Sequence, residues 1–471
     1  MGSADRNIAV IVLAAGNGTR MKSRTAKVLH PIAGRPMLDY PLATAEALDP
    51  DRLVVVIGRD ADRVRETFEG RARFILQEPQ RGTGHAVLSA RDELADFSGD
   101  VLVLYGDTPL LRAESLREMQ RLRADTDAAL VVLTAEADVP GIIIRDAAGR
   151  IERIVEAPDA TPDEQAIRER NTGVYLLDSE WLWKTLSQVG DDNEQGEIYL
   201  TDILEISVRD GRRVEALKLA DADEAMGVNT RVHLAEASAV MRRRKLKELM
   251  EDGVTIVDPS STHVDVDVAI GCDSTIEPGC VIQGDTRIGE GVHLKPGCVI
   301  ETGCEIADGA ELGPNAHLRP GSRLGEGVRI GNFVEVKNSV LGAGVKAAHL
   351  SYIGDADVGE GASFGCGSIV VNYDGVAKHR TVVEKGAFIG CNANLIAPLV
   401  IERNAFVAAG STITKGVPPE ALAVGRPQQR NVAGWVNRRK AKSKATGGPE
   451  RGGTPDEATA EAGDPASERS D

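Results

Sequence analysis

Three groups of residues in this chain have the types and spacing to do chemistry. The first is VLAAGNGTRM, Val12–Met21, which packs two glycines, a threonine and Arg20 into one turn after an apolar run. Glycines let a backbone close on an anion and offer it N–H groups, so the stretch reads as a phosphate-gripping loop. It is neither G-x-x-x-x-G-K-[ST] nor G-x-G-x-x-G. The second group is Arg319 and Lys337, and the third is His349 with Tyr352 in KAAHLSYIGDA. An imidazole, with a pKa of about 6.5, is the natural base for taking a proton from an amine at neutral pH.

Two kinds of element must position these groups. In the N-terminal part, NIAVIVL, RLVVVIG, ARFIL, DVLVLYGD and DAALVVLT alternate with helical stretches such as DYPLATAEAL and HAVLSARDEL. The pattern predicts a Rossmann-like, doubly wound α/β sheet of buried parallel strands. Its ligands belong at the carboxyl ends of the strands, where the opening loop and YGD, Tyr105–Asp107, both fall. A Gly- and Pro-free stretch over 231–252 predicts a linker helix ended by Gly253. The stretch from Arg438 onward has almost no large apolar residues and is expected to be a disordered tail.

The second kind of element is a repeat. From Ile270, every sixth residue is aliphatic through Ile276, Ile282, Ile288, Leu294, Ile300, Ile306, Leu312, Leu318, Leu324, Ile330 and Val336. The pattern returns after a phase slip at Val383, Ile389, Leu395, Ile401, Val407 and Ile413. A six-residue period predicts a parallel β-helix of hexapeptide repeats, three hexads to a coil. Cys280, Cys298 and Cys304 fall two places before an aliphatic residue, in a small inward slot, and are expected to be inert packing residues.

With 18 residues to a coil, Arg319 and Lys337 stack about 4.8 Å apart. Two cations so placed either grip an anion such as a phosphate or are simply solvated. The repeat breaks between Val370 and Val383, where NYDGVAKHRT must be extruded, and insertions in a solenoid form its binding face. His349 lies at a second register break.

Composition narrows the classes. A net charge of -17 over 471 residues argues against non-specific nucleic-acid binding. No window is apolar enough to span a membrane, and MGSADRN is not a secretory leader, so a cytoplasmic protein is expected. The six cysteines show no C-x-x-C spacing, and reduced thiols are expected.

LAAGNGTRMKSRTAK fused to a hexapeptide β-helix resembles the bifunctional bacterial N-acetylglucosamine-1-phosphate uridylyltransferase and glucosamine-1-phosphate N-acetyltransferase family. QRGTGHA, YGDTPLL, NTG, GEIYLTD, GVNT, GNFVEVKNS, HLSYIGDA and VNYDG extend the match over roughly residues 6–437. The resemblance implies a nucleotidyltransferase domain over 1–230, a linker helix over 231–252, and a left-handed β-helix acetyltransferase domain over 253–437. It assigns the backbone of Leu13, Ala14, Ala15 and Gly16 to UTP, with Arg20 and Lys27 on the triphosphate and Gln77, Gly82 and Thr83 on uracil. Tyr105 and Gly106 lead into Asp107, which with Asn229 matches the Mg²⁺ ligands. Gly141, Glu156 and Asn171 match amino-sugar contacts. In the second domain it assigns Arg319 and Lys337 to the sugar phosphate and His349 to the general base. Tyr352, Ser363, Asn372, Tyr373 and Lys378 match substrate positions. Cys366, Asn372, Tyr373, Cys391, Ala409 and Arg426 match acetyl-CoA positions. It further implies a homotrimer through the β-helix.

Several residues depart from the family pattern. Pro140 replaces a Tyr before Gly141, Ser363 an Asn, Cys391 a Ser and Cys366 an Ala. Ala26 replaces a Pro and is expected to loosen the backbone entering Lys27. The departures leave two alternatives to the bifunctional enzyme: a nucleotidylyltransferase whose β-helix is a retuned acyltransferase, or one whose β-helix is only a trimerisation scaffold.

Overall fold

A computed structural model describes residues 7–137, 139–190 and 196–445. The chain divides into two compact units, Met1–Gly425 and Arg426–Asp471. In the first unit a mixed sheet contains β1 (Ile8–Ala14), β2 (Arg52–Ile57), β3 (Arg73–Leu76), β4 (Asp100–Tyr105), β5 (Leu130–Glu136), β6 (Gly141–Arg145), β7 (Ile151–Val155), β8 (Glu169–Asp178) and β9 (Val214–Lys218). The strand order is β9-β5-β8-β4-β1-β2-β3, with β6 paired to β8 and to β7. All of β1 is buried, as its unbroken apolar run requires of a strand covered on both faces.

β1 runs parallel to both β2 and β4. Strand order turns there, and the opening loop and YGD leave the sheet side by side at its carboxyl edge. The five strands expected to be parallel share one direction, and an additional strand departs from it. β8 inserts antiparallel between β4 and β5. The β6–β7 hairpin precedes it, so the chain enters the sheet without the crossover helix that a parallel neighbour needs.

A helix over Arg231–Glu251 starts at Thr230, whose side chain accepts from the His233 N–H. Ala237 and Val240 of this helix pack with Ile32, Met37, Tyr40, Leu110 and Val228. This apolar cluster anchors the helix to the sheet region.

The β-helix that follows is left-handed, with three faces of ten, nine and eight parallel strands. Most strands are two residues long, one facing out and one aliphatic residue buried inside. The inward slots fill as the spacing predicts: Ile300, Leu312, Leu318, Cys280 and Cys298 are 0% exposed and Cys304 1%. Coil length varies. Leu318 pairs with Val336, eighteen residues on, but Leu324 pairs with Leu341, one residue sooner. Phe364 pairs with Ile389, because residues 372–380 loop out of the coil. These two changes are the physical cause of the phase slip.

In the second unit, Trp435–Ala445 is helical with no buried residue. Residues 438–445 of the expected tail therefore fall within this helix. Arg, Lys and Ala are good helix formers. Residues 446–471 lie outside the described residues.

Candidate active sites

At the carboxyl edge of β1 and β4, two adjoining clefts share Thr83, Tyr105, Asp107 and Glu197. The first, of about 320 Å³, is lined by Leu13, Ala14, Ala15, Gly16, Lys27, Gln77 and Gly82. The second, of about 560 Å³, is lined by Arg20, Gly141, Glu156, Asn171 and Asn229. The residues assigned to nucleotide thus gather in one cleft, except Arg20, which joins those assigned to the sugar. Gly106 supports the seam, donating its N–H to the Leu13 carbonyl at 2.9 Å.

Local structure explains the convergence. Gly18 sits at φ +59, and a Cβ there would lie 2.8 Å from Lys27 Cβ, so glycine lets the loop fold back onto Lys27. Arg59 props the loop through the Asn17 and Ser23 carbonyls at 3.2 and 3.0 Å. Ala26 is not loosened as expected: its N–H donates to Asp60 Oδ2 at 3.3 Å, a bond that proline could not make. The Lys27 ammonium meets the Asp107 carboxylate and donates to Asn229 Oδ1 at 2.9 Å. The Val228 N–H bonds the Asp107 carbonyl at 2.8 Å, which brings Asn229 to Asp107 across the sequence.

The second cleft depends on an irregularity in β8. Its register shifts between Asn171 and Tyr175, and Gly173 takes φ +82, with its α-carbon so close to the Tyr105 ring that a Cβ would collide. Asn171 is held at both ends, donating to Tyr175 Oη at 2.7 Å and accepting from the Gly173 N–H at 2.9 Å. Burial, then the charges of Asp159 and Asp202, push the Glu156 carboxyl up. Burial holds the Tyr105 phenol well above its usual value, so it stays protonated.

On the β-helix, register organises the expected residues into two columns, one at the end of the first face and one at the far edge of the second. Asn332 pairs with His349, and continuing the register sets Cys366, Cys391 and Ala409 above them, one per coil. His349 is exposed, and its Nδ1 lies 2.6 Å from Asn332 Oδ1. A carboxamide oxygen only accepts, so in the neutral imidazole this contact sets the proton on Nδ1 and leaves the Nε2 lone pair for a substrate. Ser363 stands above Lys346 on the first face.

At the far edge of the second face, Arg319 and Lys337 stack as the spacing predicts, but an external anion is not needed to hold them together. Arg319 donates to Glu335 Oε1 at 2.9 Å and Lys337 to Asp355 Oδ2 at 3.4 Å. Burial opposes ionisation of Asp355, but hydrogen bonds from Asn338 and Asn372 and the Lys337 charge outweigh it and hold its carboxyl low. The extruded loop, closed by pairing of Tyr373 with Lys378, brings Lys378 against Lys337. That contact and the Lys337 charge push the Lys378 ammonium down. Three cations facing two carboxylates leave net positive charge. Tyr352 lies between the columns, paired with Glu335 below, and the buried Asn372 donates to its hydroxyl at 3.4 Å. Tyr373 is half exposed, and Arg426 is exposed in the second unit.

Sequence reasoning missed Asn332, Glu335, Asp355, Arg59, Gln80 and Glu197. Asn332 could have been found, since it follows its aliphatic slot by two residues, as His349 does. Gln80 reaches the Ala15 carbonyl at 2.6 Å across the first cleft, and no spacing in the sequence announces that.

Fold and sites define a nucleotidyltransferase joined to a hexapeptide-repeat transferase. Residues 10–173 match the MobA-like NTP transferase domain, and residues 267–302 and 303–338 match bacterial transferase hexapeptide repeats. The chain is 50% identical over 458 residues to the bifunctional protein GlmU of Syntrophotalea carbinolica, covering 93% of this chain and 98% of that protein. It is 46% identical to those of Trichlorobacter lovleyi and Geobacillus thermodenitrificans, covering 91% and 92% of this chain and 97% and 99% of theirs. The chain belongs to the bifunctional GlmU family.

Proposed function

We propose that this chain makes UDP-N-acetylglucosamine in two steps: acetyl transfer from acetyl-CoA to glucosamine-1-phosphate, then uridylyl transfer from UTP to N-acetylglucosamine-1-phosphate. The observation that carries the reading is the pair of columns flanking the second β-helix face, a base column at the corner where it meets the first face and a cation cluster at its far edge. A sugar phosphate lying across that face sets its phosphate on Arg319, Lys337 and Lys378 and its amine toward His349. Nε2 of His349 takes the amine proton, the nitrogen attacks the thioester carbonyl, and the C–S bond breaks to release coenzyme A. The acetyl donor lies along the column of Cys366, Cys391 and Ala409, with Asn372 and Tyr373 as further contacts. Relatedness along nearly the whole length to bifunctional proteins favours two activities over a nucleotidylyltransferase with a bare scaffold.

In the other site, UTP occupies the first cleft and the sugar phosphate the second. The sugar phosphate oxygen attacks the α-phosphorus in line and pyrophosphate leaves, so positioning and charge neutralisation supply the catalysis. Arg20 and Lys27 take up the charge of the leaving group. Asp107 and Asn229 would hold Mg²⁺: two hard oxygens already converge on one cation, the Lys27 ammonium. The bound ion supplies further neutralisation of the phosphates.

The working division is a uridylyltransferase domain over 1–230, a linker over 231–252, an acetyltransferase domain over 253–437 and a tail beyond. A cytoplasmic homotrimer completes the reading. Among the described residues no helix is long and apolar enough to cross a membrane. Phe333 and Leu350, 59% and 57% exposed, hold left-handed backbone at φ 53 and 49, where neighbouring coils use Asn or Gly. Large apolar residues in that conformation are costly, and burial against another copy offsets the cost. Two assays test the enzymology. His349→Ala is expected to abolish acetyl transfer and spare Mg²⁺-dependent UDP-sugar formation, and Asp107→Ala to do the reverse. Undiminished acetyl transfer in the His349 variant would remove it as the base.

A further inference from the structure

Two of the departures from the family pattern, Cys366 and Cys391, are neighbours in space. Phe364 pairs with Ile389, and the register continues unbroken: the Asn392 N–H bonds the Cys366 carbonyl at 2.8 Å. Cys366 and Cys391 therefore occupy the same corner of successive coils, where in-register α-carbons stand about 4.8 Å apart. Disulfides bridge α-carbons about 4.4–6.8 Å apart. The Cys391 sulfur leans toward the coil below, since a Cβ on Gly365 would lie 2.9 Å from it. Both side chains are reachable, Cys391 exposed and Cys366 partly so.

Cys280 and Cys298 hold an equivalent stacked relation in the interior, one coil apart, where the Cys280 thiol donates to the Lys295 carbonyl at 3.3 Å. That pair is 0% exposed and shielded from oxidants. The outer pair differs in one respect that matters chemically, namely access. Directly below Cys366 in the column stands His349.

We propose that Cys366 and Cys391 form an oxidisable dithiol whose disulfide closes the donor edge of the β-helix site. With a small-molecule disulfide such as oxidised glutathione as oxidant, the exposed Cys391 thiolate attacks one sulfur and releases one glutathione thiol. The Cys366 thiolate then attacks the Cys391 sulfur of the mixed disulfide and releases the second. Two protein thiols are oxidised, one glutathione disulfide is reduced to two thiols, and the proton count balances. The bond ties together two coils directly above the base and removes both S–H donors from the column. Its effect on acetyl transfer rests on the donor position proposed above, whereas the bond itself does not.

The experiment treats the full-length chain with oxidised glutathione, maps disulfides by peptide mass spectrometry under non-reducing conditions, and measures both activities before and after dithiothreitol. The expected result is a Cys366–Cys391 cross-linked peptide lighter by two hydrogens than its separate parts. Acetyl transfer is lost and then restored by dithiothreitol, while UDP-sugar formation does not change. Neither Cys366→Ala nor Cys391→Ser should form the internal cross-link, and Cys366→Ala should instead accumulate the glutathione mixed disulfide at Cys391. Absence of the cross-link, or a cross-link joining Cys280 to Cys298 instead, overturns the proposal. A mapped Cys366–Cys391 bond with undiminished acetyl transfer overturns the blockade. No acetyl transfer in the reduced wild type would instead count against the functional reading, and the mapping would still decide whether the bond forms.

Discussion

Asn332 is the residue that orients the exposed His349 imidazole for its proposed role as base. Its carboxamide oxygen, 2.6 Å from Nδ1, fixes the tautomer with the lone pair on Nε2. Losing one such hydrogen bond costs about 1 kcal/mol, so Asn332→Ala should slow acetyl transfer roughly fivefold in kcat. A purely structural role would predict the same loss, so Asn332→Asp separates the two. A carboxylate at that distance favours the imidazolium, which must lose its proton before it can act as base. The acidic limb of the pH–kcat profile should move to higher pH in Asn332→Asp, and an unmoved limb would show that Asn332 does not position the base.

At the scale of the element, a two-residue strand divides labour between its faces. Leu318 is 0% exposed between Ile300 and Val336, while the next residue, Arg319, faces outward to Glu335. Leu318→Ala removes packing that the coil cannot replace and should cost about 2–5 kcal/mol in urea unfolding. Arg319→Ala breaks a partly exposed ion pair worth about 0–1 kcal/mol, and should leave the unfolding midpoint nearly unmoved. The same Arg319 variant should raise KM for glucosamine-1-phosphate. Equal destabilisation by the two substitutions would contradict the division. The extruded loop is the complementary case: it interrupts the packing rhythm and brings Asn372, Tyr373 and Lys378 to the outer face.

For the whole molecule, the exposed corner residues Phe333 and Leu350 point to assembly. Sedimentation should report a particle of three chains. The double variant Phe333→Asn, Leu350→Asn places at both corners a residue that tolerates left-handed backbone, as Asn315 and Asn392 do in other coils. It should keep its circular dichroism and lose the three-chain particle. If the particle persists, these corners are not the contact.

The six-residue period, the apolar strands and the glycine-rich turn were legible in the sequence because each is a local demand: a slot to fill, a strand to bury, a backbone to bend. The antiparallel β8 was not, because an apolar run reads the same in either direction and only its neighbours set its sense. Nor was the helix over 438–445, since charge-rich composition suits both a short exposed helix and an unstructured tail. Ala26 misled for a related reason: its backbone gains a partner, Asp60, from a different part of the chain. The sequence by itself marked the residues proposed to carry chemistry and determined the repeat that stacks Arg319 on Lys337. Only the tertiary structure decided their company: Glu335 and Asp355 beside the cations, and Cys391 above Cys366. Those partners lie whole coils away along the chain, and a coil's length changes from one turn to the next, so spacing alone could not pair them.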